Sequence, residues 1–251
     1  MRQLEVIGLE GIGEVKQGDS IGRLLHEACS RSGISLTVKD VLVVAHKIVS
    51  KAEGRIIRLD TVQPSPRALE LSRELGKDPA LVEVILRESR RIIRKGGGTI
   101  IVETRHGFIC ANAAADLSNV GPGKVALLPE DPDRSAEKIR AEIHELSGVG
   151  PAVIVSDSFG RPWRLGTTDV AVGVAGMRPL RDYRGEVDTY GYQLRASVAA
   201  IADEIASAAE LVMGKKDGVP AAVVRGLEFQ PEEGSARELL RPKAQDLFRN
   251  F

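Results

Sequence analysis

The chain contains 251 residues, of which 43% are hydrophobic and 28% charged, a composition that excludes an intrinsically disordered chain. Lysine plus arginine and aspartate plus glutamate both total 35, and zero net charge argues against a dedicated nucleic-acid-binding protein, which usually carries a basic excess. Two isolated cysteines, Cys29 and Cys110, exclude a disulfide framework and a four-thiolate zinc site. The first residues carry no apolar signal core, and no apolar run approaches the ~20 residues that span a membrane. We therefore expect a cytoplasmic protein with no membrane partner and no nucleic-acid partner.

Hydrophobic periodicity, capping residues and glycine positions divide the chain into helices and strands. Ser65 and Pro66, for example, have the residue types of a helix cap and a first helical position. In chain order we predict a strand at 3–9, a helix at 20–31, strands at 41–50 and 55–59, helices at 65–76 and 79–95, strands at 99–104, 108–113 and 124–128, a helix at 135–146, strands at 152–156 and 169–176, a helix at 194–213, a strand at 220–226 and a helix from 236 to the end.

The order of these elements predicts the fold class. Strands and helices do not alternate strictly, and the strands at 41–50 and 55–59 are spaced as a hairpin around the turn at 52–54. We expect an α+β fold with mixed, mostly antiparallel sheets and packed helices. Residues 1–251 are expected to form a single unit. If that unit contains two subdomains, the Gly/Asp/Arg-rich stretch at 178–191 is the expected boundary.

Several common motifs are absent from the sequence. There is no GxxxxGK[ST] phosphate loop, and the GLEGIG segment at 8–13 is a weak match to a dinucleotide fingerprint because no helical pattern follows it. The four histidines are scattered without metal-ligand spacing.

Two aspartates follow predicted strands and carry the strongest local signal. Asp116 lies just before Ser118 and Asn119, and Asp157 lies between two serines. Carboxylate, hydroxyl and amide oxygens suit Mg²⁺ or Mn²⁺, which share such ligands with substrate phosphates. The alternative is that both aspartates cap turns, as aspartate often does.

Basic and glycine-rich segments of the sequence indicate that the protein binds a phosphate group. Lys47 and Lys51 follow an apolar strand, and Arg161 and Arg164 flank Trp163; such side chains can hold phosphate or carboxylate. The segment at 213–220 leaves a predicted helix through two glycines, which allows backbone to approach a ligand. Solvated loops and an ordinary glycine C-cap are the alternatives. The residues thus indicate an enzyme with a divalent-metal phosphate site, but they name no reaction.

Six motifs together resemble one known family over essentially the whole chain. They are VSKAEGR at 49–55, ETRHGF at 103–108 with ANA at 111–113, D-x-SNV at 116–120, LP-x-DPD-x-SA at 128–136, SDSFGRPWR at 156–164 and PAAVVRG at 220–226. In this order the motifs resemble the coenzyme F-420:L-glutamate ligase family, the γ-glutamyl ligases of the deazaflavin coenzyme.

The resemblance implies a family-specific ligase fold, an intertwined homodimer and a reaction. That reaction is GTP-dependent addition of L-glutamate, through γ-linked amide bonds, to the phospholactyl carboxylate of coenzyme F-420-0, through an acyl phosphate, with release of GDP and phosphate. Mn²⁺ or Mg²⁺ is the implied metal, with K⁺ as an optional addition. Some bacterial relatives fuse this unit to a nitroreductase-like domain, and this chain is expected to be the ligase unit alone. The alternatives are a metal-dependent, nucleotide-using ligase for another carboxylate acceptor and a catalytically silent binding module.

The resemblance also assigns residues to the site, with no catalytic group beyond the metal and nucleotide ligands. Asp116 and Asp157 would hold the first divalent metal, with Ser158 near a second. In a relative, an acidic metal ligand stands where this chain has Lys215, and Asp217 is the substitute two positions later. The implied nucleotide-binding residues are Gly11, Ile12, Gly13, Glu14, His46, Lys51, Asn119, Met213, Gly214, Lys215, Lys216, Asp217, Gly218 and Val219.

Overall fold

The structure is a computed structural model that describes residues 3–248. Its strands are β1 (Glu5–Gly8), β2 (Val41–Ala45), β3 (Ile56–Arg58), β4 (Ser89–Gly96), β5 (Thr99–Thr104), β6 (Ile109–Ala111), β7 (Lys124–Ala126), β8 (Ala152–Arg161), β9 (Arg164–Ala175), β10 (Arg181–Asp182), β11 (Val198–Ala199) and β12 (Ala221–Arg225). Its α-helices are α1 (Ile21–Arg31), α2 (His46–Ala52), α3 (Pro66–Leu75), α4 (Pro79–Arg87), α5 (Pro132–Ser147) and α6 (Ile201–Met213).

A five-stranded sheet forms the centre of the fold, in the order β1-β12-β2-β8-β9. The pairing of β2 with β8 is parallel, whereas the other paired strands of residues 3–248 run antiparallel. Helices α5 and α6 pack against β9, and α1 packs against α5. The apolar residues of β2, β8 and β12 are buried in one hydrophobic core. The expected α+β class with mostly antiparallel sheets is therefore confirmed.

A second hydrophobic cluster lies outside this core. It gathers residues of α3, α4, β5 and β7, including Leu71, Ile85 and Val102. A three-stranded sheet in the order β4-β5-β6 belongs to the same part of the chain, and β3 pairs with β7. The segment at 178–191 contains β10, which pairs with β11. A subdomain boundary in that segment stays a prediction.

The capped starts of α1 and α3 and the end of α3 are confirmed. Ser65 accepts a hydrogen bond from the Ala68 amide at 3.2 Å, Pro66 is the first residue of α3, and Gly76 ends the helix with a φ of 64°. Such a left-handed conformation favours glycine. The side chain of Ser20 likewise caps α1.

The predicted strand at 41–50 and its hairpin with 55–59 are wrong. The strand ends at Ala45 and residues His46–Ala52 form α2, in which Ile48 and Val49 are buried. Branched side chains favour strands only weakly, and burial on one side of a helix outweighs that preference. Because α2 redirects the chain, β3 pairs with β7 and not with β2.

Several other predicted bounds are wrong. The helix predicted at 135–146 begins at Pro132, and the strand predicted at 169–176 begins at Arg164. The helix predicted at 79–95 ends at Arg87, and β4 then forms a hairpin with β5. The three glycines at 96–98 have positive φ and form the turn of this hairpin, whereas they were expected to end a helix. The helix predicted at 194–213 begins at Ile201. In place of a helix from 236 onward there are 3-10 turns at Ala236–Leu239 and Lys243–Gln245, and residues 249–251 lie outside the described residues.

The strand predicted at 152–156 continues to Arg161 and forms a long hairpin with β9, so Asp157 lies within a strand and not after it. The hairpin contains two register shifts, one between Val155 and Ser156 and one between Gly160 and Arg161. Between these shifts, Ser158 stands opposite Asp169.

Among residues 3–248, each helix is too short or too polar to cross a lipid bilayer.

The central sheet approaches α5 closely at Gly173, where a Cβ would overlap the carbonyl of Pro132. We expect Gly173→Ala to lower the free energy of unfolding by about 1–3 kcal/mol, the usual cost of overpacking a core. Gly160→Ala is the matched control, because a Cβ at Gly160 meets no atom within 4 Å. Urea denaturation midpoints would compare the two variants, and equal midpoints would contradict this account of the contact.

Candidate active site

A cavity of about 450 Å³ opens where β2 ends and α2 begins. It is bounded by the segment at 12–15, by β8 and β9, and by the end of α6 with the loop at 213–220. The parallel pairing of β2 with β8 places Ala45 opposite Ser156, so the residues that follow them come together at one edge of the sheet.

Asp169 is the most buried carboxylate in the cavity, with 5% of its surface exposed. It accepts hydrogen bonds from the hydroxyls of Ser156 at 3.0 Å and Ser158 at 2.6 Å. The hairpin register brings these groups together. Two hydroxyl donors satisfy a buried carboxylate and fix the orientation of both serine side chains.

Lys215 reaches this acidic centre from the loop that follows α6. Its Nζ contacts the Ser158 hydroxyl and lies 3.3 Å from carboxylate oxygens of both Asp169 and Glu210. Burial disfavours the charged ammonium, but the two carboxylates outweigh it and raise the pKa of Lys215 above its usual value. The lysine is therefore a charged partner of the centre.

His46 and Asp157 form a second contact at the same edge. His46 is 2% exposed, and its Nε2 lies 3.3 Å from Asp157 Oδ1 without a hydrogen-bonding alignment. Its Nδ1 lies 3.3 Å from the hydroxyl of Ser50, which donates to the carbonyl of Leu127 at 2.6 Å. Ser50 thus positions the imidazole through Nδ1. Its Nε2 faces Asp157 and has no hydrogen-bond partner among the described residues.

Asp116 lies beside the cavity and does not line it. Lys47, which does line it, places its Nζ 2.7 Å from the Asp116 carboxylate and donates to the Ser118 hydroxyl at 2.6 Å. Burial alone would raise the pKa of Asp116, but Lys47 and the backbone amide of Ser118 outweigh burial and hold that pKa below its usual value. Asn119 lines the cavity, and its amide nitrogen donates to the carbonyl of Lys215 at 3.3 Å.

Most of the predicted site residues share this cavity. Asp157 and Ser158 of the predicted metal ligands line it, whereas Asp116 adjoins it. Gly11, Lys216 and Asp217 are outside its lining. The predicted nucleotide-binding residues that line the cavity are Ile12, Gly13, Glu14, His46, Lys51, Asn119, Met213, Gly214, Lys215, Gly218 and Val219.

The sequence did not point to Asp169 or Glu210. Asp169 is recognisable only from the hairpin register that sets it opposite Ser158, and Glu210 only from its place in the last turn of α6. An acidic residue four positions before a helix-ending glycine is too common to single out.

The oxygen atoms at this edge are of the types that could bind a hard divalent cation. Among residues 3–248, no three His, Cys, Asp or Glu side chains converge on one metal position. The ammonium of Lys215 nevertheless lies among three oxygen atoms, from Ser158, Asp169 and Glu210, as a bound cation would. Carboxylate and hydroxyl oxygens are the ligands that Mg²⁺ and Mn²⁺ prefer.

The two cysteines do not supply a nucleophile. Burial raises the pKa of Cys110 to about 12, with a smaller contribution from the nearby Asp157. Burial also raises the pKa of Cys29 to about 11. Since the thiolate is the nucleophilic form, both thiols are unreactive at neutral pH.

Comparison with known proteins assigns the chain to a family. Residues 11–226 match the model of the family described as F420-0:Gamma-glutamyl ligase. The chain is 50% identical over 249 residues to the coenzyme F420:L-glutamate ligase of Methanothermobacter thermautotrophicus, with 98% of this chain and 99% of the relative covered. It is 47% identical to the protein of that name from Methanopyrus kandleri (98% and 97% covered) and 45% identical to that from Methanocaldococcus jannaschii (99% and 98% covered).

These matches place the chain in the class of ligases that join an amino acid to a carboxylic acid. Within that class, it belongs to the F420-0:gamma-glutamyl ligase family. The resemblance seen in the sequence motifs is therefore confirmed.

The low pKa of Asp116 can be tested through its lysine partner. Ionised Asp116 stabilises the folded chain at pH values above the ordinary titration of aspartate, and this contribution disappears as pH falls through the lower pKa of the folded state. Lys47→Met removes the ammonium while burial and the Ser118 amide remain, and we expect the Asp116 pKa to rise. Carboxyl ¹³C NMR titration would measure it. Lys51→Met, which removes the partner of Glu14 instead, should leave the Asp116 titration in place.

Proposed function

We propose that this chain catalyses GTP-dependent addition of L-glutamate, through γ-linked amide bonds, to the phospholactyl carboxylate of coenzyme F-420-0. The observation that carries the proposal is the cavity at the β2–β8 edge, where three lysines (Lys47, Lys51 and Lys215) face carboxylates and glycine-bearing loops. Its volume of about 450 Å³ lies within the range of small-molecule sites, roughly 300–1,000 Å³.

The lysines are suited to a triphosphate because each is already held in place by a carboxylate. Lys51 is 14% exposed and lies 2.7 Å from Glu14, and Lys47 lies 2.7 Å from Asp116. A phosphate oxygen can replace these carboxylates as a partner, since lysine binds phosphate as a point charge. Gly13, Gly214 and Gly218 let the surrounding backbone approach a bound nucleotide.

The acidic side of the cavity would hold the metal. We propose that Asp157, Ser158 and the adjoining Asp116 bind Mn²⁺ or Mg²⁺. Such an ion supplies Lewis-acid polarisation of phosphoryl oxygens when bound. Lys215 supplies positive charge at the Asp169 centre, where the family resemblance leads one to expect a second metal. Asp217 does not line the cavity and is a poor substitute ligand.

The proposed chemistry has two transfers. A carboxylate oxygen of the acceptor attacks the γ-phosphorus of GTP, the bond from that phosphorus to the bridging oxygen breaks, and GDP leaves. The neutral amine of glutamate then attacks the acyl carbon, the bond between that carbon and the phosphate oxygen breaks, and inorganic phosphate leaves while the amine loses a proton. The lysines stabilise the negative charge of the leaving groups, and positioning in the cavity lowers the remaining barrier.

The direct test is mass spectrometry of purified protein incubated with F-420-0, L-glutamate, GTP, Mn²⁺ and K⁺. We expect a metal-dependent mass increase equal to one or more glutamyl residues, with GDP and phosphate formed in equal amounts. ATP in place of GTP, and omission of metal, are the controls. A folded protein that binds GTP but leaves F-420-0 unmodified would favour the alternative of a different carboxylate acceptor.

Asp157→Ala separates a role in the reaction from a role in folding. Within residues 3–248, Asp157 accepts no hydrogen bond from a distant element; its Oδ1 accepts from the neighbouring Ser158 amide at 2.7 Å. We therefore expect turnover to fall at least about 100-fold, as for other losses of electrostatic stabilisation, while the melting temperature changes by only a few degrees. Asp182→Ala removes an exposed carboxylate paired with Arg184 and should leave turnover unchanged. Parallel losses of melting temperature and turnover in Asp157→Ala would contradict the assignment.

A further inference from the structure

A second, smaller cavity adjoins the one described above. It has a volume of about 220 Å³, and we call it the side cavity. It shares Glu14, Val15 and Lys51 with the larger cavity. Its other lining residues are Gln17, Gly54, Ile56, Val120 and Lys124.

The ion pair of Lys51 with Glu14 forms the wall between the two cavities. The nitrogen-to-oxygen distance is 2.7 Å, and the lysine side chain is largely buried whereas that of Glu14 is 74% exposed. Lysine is seldom this buried without a partner. Burial therefore restricts the position of Lys51, whereas the exposed side chain of Glu14 can turn toward a ligand in either cavity.

Lys124 gives the side cavity an uncompensated positive charge. It forms no ion pair with any residue in 3–248, and it stands directly opposite Arg58 in the antiparallel pairing of β3 with β7. Arg58 is occupied by Asp60, with a nitrogen-to-oxygen distance of 2.5 Å. Like charges directly opposite in a ladder are destabilising, so an anion beside Lys124 would be favoured.

Gln17 adds a neutral polar group that the fold holds in place. Its side chain lies against Gly54, which has a φ of 72°, and a Cβ at that position would overlap the Gln17 amide. The backbone beside it is fixed by a hydrogen bond from the Gly18 amide to the Ala52 carbonyl at 2.9 Å. A carboxamide offers both a donor and an acceptor to a small polar ligand.

We propose that the side cavity binds the amino-acid substrate, a dicarboxylic amino acid, with its carboxylates on Lys124 and Lys51 and its amino group beside Glu14. The ammonium of Lys51 has three donor hydrogens, so it can hold a phosphate oxygen in the larger cavity at the same time. Two lysines and one glutamate give the cavity a formal charge of +1, which complements the charge of −1 on a dicarboxylic amino acid. Lys51 borders the larger cavity, so the amine lies where it can reach an acyl phosphate formed there. This inference rests on the proposed function, which names the amino acid as L-glutamate.

The test is Lys124→Ala, because Lys124 lines the side cavity but not the larger cavity. We expect the KM for L-glutamate to rise about tenfold or more, because a hydrogen bond to a charged group is worth about 1.5–3 kcal/mol. The KM values for GTP and F-420-0 should change less than about twofold. Lys16→Ala is the matched control, an exposed lysine next in sequence to both cavities that lines neither. Calorimetric titration of L-glutamate into each folded variant, with GDP present, gives a readout independent of turnover.

The outcomes separate this inference from the proposed function. A glutamate-specific rise in KM together with weaker calorimetric binding of L-glutamate, in Lys124→Ala but not in Lys16→Ala, supports the side cavity. An unchanged KM for glutamate, equal effects of the two substitutions, or a rise confined to GTP would overturn the inference while leaving the ligase function standing. A wild-type protein that binds L-glutamate but modifies no F-420-0 would overturn the proposed acceptor alone. If the wild-type protein shows no L-glutamate dependence in turnover and no L-glutamate binding by calorimetry, both the side-cavity inference and the proposed ligase function are overturned.

Discussion

The parallel pairing of β2 with β8 determines where this protein can do chemistry. In a sheet that is otherwise antiparallel, it sets the carboxyl ends of two buried strands side by side, with Ala45 opposite Ser156. At that edge the chain can leave the sheet in two ways: β2 turns into α2, and β8 continues as a hairpin arm. Ligand sites in sheets with parallel strands commonly lie outside such carboxyl ends. The cavity, His46 and Asp157 all follow from this one pairing.

The second organising feature is the pairing of lysines with carboxylates around the cavity. Lys47 is held by Asp116, Lys51 by Glu14, and Lys215 by Asp169 and Glu210. Partly buried charges of one sign would be costly, and the alternation of signs removes that cost. A charged substrate or cation can enter by exchanging partners, so the reorganisation that binding demands is confined to side chains.

Local signals were sufficient to predict part of the structure. Caps at Ser20 and Ser65 marked helix starts, and motif order identified the family and most residues of the cavity. The failures occurred where distant contacts outweigh local preference. Branched residues near Ile48 are buried in a helix, and the basic run of β4 is a strand because it pairs with β5.

The position of Asp169 in the site could not be predicted from the sequence at all. A regular two-residue hairpin between Arg161 and Arg164 would place Ser158 opposite residue 167. The register shift next to Gly160 moves that partner to Asp169. Bulges of this kind depend on tertiary packing and local twist, and composition or periodicity does not reveal them.

The same shift has a consequence for how the protein can vary. The strand pairs from Ser156 to Gly160 follow one register, and the tip of the hairpin beyond Gly160 follows another. The tip carries the exposed side chains of Trp163 and Leu165, which lie outside the cavity lining. Residues inserted or deleted there would be absorbed beyond the bulge, leaving the serine–aspartate pairing in place. The tip is thus the part of this hairpin where a change of length would disturb the pairing of Ser158 with Asp169 least.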